Sequence, residues 1–140
     1  MKVYIVFIGL LIVHVGFMAF NQDMGRYLML QNLFKDTSEE CAAQAALLLD
    51  EEEYYQGHVI FLKDDGDSRR ALENACEKIG LEDGYTLTLS YEDDSTTYSL
   101  DNQDENPRVT ATITINVSAL FRTNLFRDAV ITRSSCYEIL

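Results

Sequence analysis

The segment Val3–Phe20, VYIVFIGLLIVHVGFMAF, runs 18 residues without a formal charge. As an α-helix it measures about 27 Å, close to the hydrocarbon thickness of a bilayer. Length and composition together predict a membrane anchor over residues 1–20, and the rest of the chain is read outward from it. A cleaved secretory signal is the competing reading. Such signals have an apolar core of about 7–15 residues behind a basic stretch and end in a small-x-small triplet. Here a single lysine, Lys2, precedes the run, and the run is longer. The triplets His14-Val15-Gly16 and Phe17-Met18-Ala19 both place a large residue at the outer position. An uncleaved anchor is therefore the preferred reading.

Orientation follows from the flanks. Lys2 and the α-amino group precede the run, and Asn21-Gln22-Asp23 follows it, which predicts a cytoplasmic N-terminus and an extracytoplasmic remainder. With 23 carboxylates against 10 Lys and Arg beyond residue 20, that remainder carries −13. Such a charge repels nucleic-acid phosphates and anionic lipid headgroups, so a nucleic-acid partner is excluded from the expectations. Inside the run, His14 is the only side chain of the His, Lys, Arg, Asp or Glu types. With no second such group beside it, a tolerated neutral imidazole or a contact with a partner helix is expected rather than proton handling.

Beyond Phe20 the helical period continues. Met24, Tyr27, Phe34, Cys41, Ala45 and Leu48 follow in steps of three and four, with Gln31 and Ser38 filling gaps and Leu28, Leu30 and Leu33 widening the stripe. One long helix is predicted, its second half (21–50) forming the spine of an external α+β domain (51–140). Tyr27, Phe34 and Leu48 are the expected spine residues under a sheet. Thr37 and Glu40 fit a capping box, which predicts a kink or a fresh helix start there. The small residues Cys41–Ala46 allow another element to approach closely. Asp50-Glu51-Glu52-Glu53 reads as a stop, because a helix C-terminus disfavours anions.

His58–Lys63 reads as a short strand. A second helix is expected over Arg69–Ile79, capped by Asp67 or Ser68, with Leu72, Ala75, Cys76 and Ile79 inward and Gly80 closing it. The period then becomes two. Tyr85–Tyr91 and Thr96–Leu100 read as strands joined by an acidic turn. Arg108–Ser118 is the most regular strand, with Val109, Ala111, Ile113, Ile115 and Val117 on one face and hydroxyls on the other. A last strand covers Ala129–Glu138. One buried and one wet face predict an antiparallel sheet laid on the spine helix.

Three cysteines allow three pairings, of which Cys41–Cys76, joining the inward faces of the two helices, is the leading disulfide candidate; Cys136 is then left free or used between chains. No catalytic residue, metal ligand or cofactor site is expected. The acidic clusters Asp64–Asp67 and Asp101–Glu105 lack the alternating spacing and distal glutamate of a calcium loop. The sequon Asn116-Val117-Ser118 falls in an expected strand and reads as chance.

FIGLLIVHVGFMAFNQDMGRYLMLQNLFKDTSEECAAQAA (Phe7–Ala46) at one end, with RVTATITINV (Arg108–Val117) and LFRDAVITRSSCYE (Leu125–Glu138) at the other, resembles the pilin and pseudopilin layout. Within it the chain is most similar to TadE-like proteins of tight-adherence (Flp-type) pilus systems. Prepilins usually place a basic leader, a cleavage glycine and a nearby glutamate before the hydrophobic segment. Here Gly9 and Gly16 lie inside it, and the first carboxylate is Asp23. The resemblance implies a non-enzymatic structural or assembly component. Its anchor face (Phe7, Leu10, Leu11, His14) packs on other pilin-like subunits or assembly proteins, with no small-molecule substrate. A membrane-tethered ligand-binding or sensing domain is the alternative.

Overall fold

The structure is a computed structural model that describes residues 1–93 and 106–139. It is α+β: one long apolar N-terminal helix, two short helices and a three-stranded antiparallel sheet. Helix α1 spans Lys2–Leu47 without a break. Residues 1–18 are exposed on every side, whereas the upper half of the helix buries one face against the domain. The capping-box reading at Thr37 is corrected: the Thr37 hydroxyl donates to the Leu33 carbonyl at 2.8 Å and that of Ser38 to Lys35 at 2.7 Å. These hydroxyls bond back into the helix instead of starting one, the alternative open to Ser and Thr in a helix interior.

Past Leu47 the chain turns, and Asp50 accepts from the amides of Glu52 and Glu53 as N-cap of α2, Glu51–Tyr55. The acidic run thus follows the stop and then sits at a helix N-terminus, where the dipole favours it. The strand expected at His58–Lys63 reduces to a single bridge, Leu49 with Phe61. Helix α3, Gly66–Lys78, begins earlier than expected, and neither Asp67 nor Ser68 caps it. Ser68 instead enters the core, where its hydroxyl donates to the Cys41 carbonyl at 2.8 Å while the Cys41 thiol donates to the Ser68 carbonyl at 3.2 Å. Gly80, at φ +76°, ends α3; this left-handed turn brings the Leu81 amide back to the Cys76 carbonyl.

Strands β1 (Tyr85–Glu92), β2 (Arg108–Asn116) and β3 (Val130–Glu138) form an antiparallel meander in that order. The register runs from Tyr85 opposite Ile115 to Glu92 opposite Arg108, and from Arg108 opposite Glu138 to Asn116 opposite Val130. Thr96–Leu100, expected as β1's hairpin partner, lies outside the described residues. Asn116 ends β2, so the sequon sits at a turn: the amide and hydroxyl of Ser118 both donate to Asn116 Oδ1.

Alternation along β2 turns Val109, Ala111, Ile113 and Ile115 inward, all fully buried. Ala111, Ile113 and Ile115 join Leu30, Phe34, Cys41 and Ala42 of α1 and Leu72 and Cys76 of α3 in one core. A smaller cluster of Ala45, Ala46, Phe61 and Val109 closes the far end. Of the expected spine residues, Phe34 is fully buried and Tyr27 packs at the core margin. Leu48 is corrected: it lies beyond the helix end, half-buried, and its carbonyl accepts from the Leu62 amide at 2.8 Å. A fragment beginning at residue 51 therefore lacks one wall of both clusters.

The solvent face of the sheet is almost wholly hydroxyl-bearing. The register sets Thr86–Thr114–Thr132, Thr88–Thr112–Ser134 and Ser90–Thr110–Cys136 in rows, followed by Glu92–Arg108–Glu138. Thr112 bonds Ser134 at 3.1 Å across the strands. Phe34, at 0% exposure, is the largest fully buried side chain beneath this sheet. Phe34→Ala is expected to cost about 3–5 kcal/mol through lost burial and the cavity left behind. Denaturant unfolding of the detergent-solubilised chain checks this.

Candidate functional site

The polar residues that hold the domain to the anchor lie where the apolar run ends. Asn21-Gln22-Asp23 looks like a simple polar flank in sequence, yet Asp23 is only 2% exposed. Helix α1 turns it toward the segment between β2 and β3, which contains two 3-10 turns, Ser118–Leu120 and Asn124–Phe126. One carboxylate oxygen accepts from the Thr123 hydroxyl at 2.6 Å and the Thr123 amide at 2.8 Å; the other accepts from the Arg122 amide at 3.3 Å. One turn further up, the Arg26 guanidinium donates to the Leu120 carbonyl. Tyr27 then stacks on Phe126 at 5.6 Å, and Phe126 on Phe121 at 4.7 Å. A loop about 100 residues away in sequence is thus fastened to α1 by a carboxylate, a guanidinium and three rings.

The Thr123 hydroxyl holds the Asp23 carboxyl below its ordinary value. Burial pushes the other way, and the amides of Thr123 and Arg122 and the charge of Arg26 add to the lowering. A second buried carboxylate, Asp93, accepts from the Phe61 amide at 3.3 Å and fastens the 58–63 segment at the far end of the domain.

The disulfide reading is corrected. Cys41 and Cys76 share the core, but both are free thiols, as is the exposed Cys136. Cys41 spends its thiol on the Ser68 carbonyl. Burial, with the charge of Glu40 adding to it, pushes the Cys41 thiol up to about 11; burial raises Cys76 to about 11 as well. Both stay protonated at neutral pH, which suits packing and not nucleophilic attack. The anchor residues Phe7, Leu10 and Leu11 are exposed on one side of α1, as is His14. Among the described residues no three His, Cys, Asp or Glu side chains converge to hold a metal. Asp65 of the first acidic cluster pairs with Arg69 at 2.6 Å, and the second cluster lies outside the described residues.

Comparison with family models, with curated proteins and with solved structures finds no match.

Two measurements probe this arrangement. The Asp23 carboxyl is lowered on folding, so its contribution to stability is complete above the unfolded value near 3.8 and is lost as pH falls through the lower folded value. The melting temperature of Asp23→Asn should accordingly lie below that of the parent at neutral pH, and the gap should close below pH 3.8. Native maleimide labelling followed by intact mass should add one adduct, at Cys136, and three after unfolding.

Proposed function

We propose that the protein is a non-enzymatic, membrane-anchored, pilin-like structural or assembly component of a tight-adherence-type pilus or secretion apparatus. Its N-terminus is cytoplasmic and its acidic α+β domain extracytoplasmic. One observation carries this reading: α1 is long and apolar enough at its N-terminal end to cross a membrane once, and the same unbroken helix forms the inner wall of the domain. Such a helix transmits packing in the membrane directly to the position of the sheet outside.

Two surfaces suit an assembly role. Phe7, Leu10, Leu11 and His14 fall at positions i, i+3, i+4 and i+7, one face of the anchor. In lipid that face gains by packing on another helix, and the His14 imidazole finds there a partner that lipid tails do not offer. Outside, the rows of Thr and Ser present short, weakly hydrated groups without an apolar patch. That surface favours hydrogen-bonded, wet contacts between subunits over hydrophobic fusion. The protonated core thiols and the structural duties of Asp23 and Asp93 support a scaffold rather than an enzyme.

A photo-crosslinker at Leu11 in native membranes tests the assembly reading. Adducts to a second pilin-like helix or to a polytopic assembly protein are expected, and His14→Leu should reduce their yield. Adducts to lipid alone, with the chain monomeric after gentle solubilisation, refute it.

A further inference from the structure

The acidic chain has a basic, apolar base. Asp23 lies three residues past Phe20, about 4.5 Å along the helix axis, so whatever it fastens sits just outside the apolar run. It fastens the 118–128 segment, whose exposed face carries Leu125 at 72% exposure and the side chains of Arg122 and Arg127. Arg26 adds a third guanidinium at the same level. Beside them Met24 and Leu28 of α1 and Val130 of β3 are also exposed. Leu125, Met24, Tyr27, Phe126 and Val130 share one open surface depression that includes Arg127 and Asp128.

Among the described residues, two acidic runs lie away from this segment. Asp50–Glu53 lie past the outer end of α1, and Asp64–Asp67 start α3. Glu82 and Asp83 precede Gly84, whose carbonyl accepts from the Asn116 amide at the end of the sheet from which the 118–128 segment leaves toward Asp23. Asp23 itself is occupied by the loop, which leaves Asp128 as the one exposed carboxylate in the segment.

We infer that the 118–128 segment is a second membrane contact, an interfacial collar that seats Leu125 among lipid headgroups with Arg122, Arg127 and Arg26 on their phosphates. The occupant is the bilayer that holds α1, an inference that rests on the anchor reading. An exposed leucine on a segment that also carries exposed guanidiniums, held at headgroup depth by a fixed helix, matches the pairing of apolar insertion with cationic attraction that interfacial segments use. The overall charge of −12 opposes such contact, but screening confines each charge to within about 8–10 Å, so the basic base decides locally.

The full-length chain in vesicles of phosphatidylcholine, with or without phosphatidylglycerol, tests this. An environment-sensitive fluorophore is placed in turn at Cys136, at Leu125→Cys or at Ile12→Cys, the latter two in a Cys136→Ser background. The expected result is that position 12 is quenched by deep spin-labelled lipid. Position 125 is quenched by headgroup-labelled lipid and shielded from iodide, and position 136 stays open to iodide. Removing Arg122 or Arg127 (to Gln) should lower the seated-to-free ratio at position 125 roughly fivefold each in phosphatidylglycerol vesicles. Position 125 as open to iodide as 136, with 12 still quenched, overturns the collar and leaves the anchor standing. Shielding at 125 without lipid quenching overturns it in favour of a protein cover. A ratio indifferent to both the arginines and phosphatidylglycerol overturns the headgroup assignment. An unquenched position 12 refutes the anchor reading, and the collar falls with it.

Discussion

Burial of a one-sided sheet against a helix whose N-terminal part is long and apolar enough to cross a membrane is the constraint on which this structure depends. A sheet that is apolar on one face must bury that face against another element. Here Leu30, Phe34, Cys41, Ala42, Ala45 and Ala46 of α1 cover it. The same rod is apolar all round over residues 3–20 and one-sided where it meets the domain. The change of pattern occurs over Asn21-Gln22-Asp23 without an interruption of the helix. Small residues near the outer end of α1 let Val109 and Phe61 approach closely, and Phe34 fills the space nearer its middle.

Two buried aspartates fasten what the apolar core does not reach. Loops carry backbone amides that the regular ladders leave unpaired, and a carboxylate accepts several of them at once. Asp23 does this for Arg122 and Thr123 at the base, and Asp93 for Phe61 toward the far end. For Asp23 the hydrogen bond from the Thr123 hydroxyl outweighs the charge of Arg26 in stabilising the charged form. The domain is thus tied at both ends of the sheet, which keeps the irregular segments on the same rigid body as α1.

Local pattern made most elements readable. The alternation from Val109 to Val117 announced β2 and its buried face, and Leu72, Ala75 and Cys76 announced the inward side of α3. What escaped depends on distant contacts. Asp23 and Asp93 look like solvated flanks until the partner loop is in place, since their donors lie about 100 and 32 residues away. Thr37 fits a capping pattern equally well inside a helix, where its hydroxyl bonds back to the preceding turn. Cys41 and Cys76 both face the core, yet inward direction does not specify a sulfur partner, and Ser68 took the bond instead. Leu48 continued the period past the point where the chain turns, because periodicity does not register the end of a helix without a glycine or proline to mark it.

The unbroken path through Phe20 and Asp23 has a geometric consequence. With no hinge between them, azimuth is set by counting residues: each one added or removed turns the domain by about 100° and shifts it about 1.5 Å along the axis. The direction in which the threonine-rich face points is therefore coupled to the side of the anchor that carries His14. The junction works as a phase setting, and a spacer of a few residues there changes which way the protein faces before it changes how far it reaches.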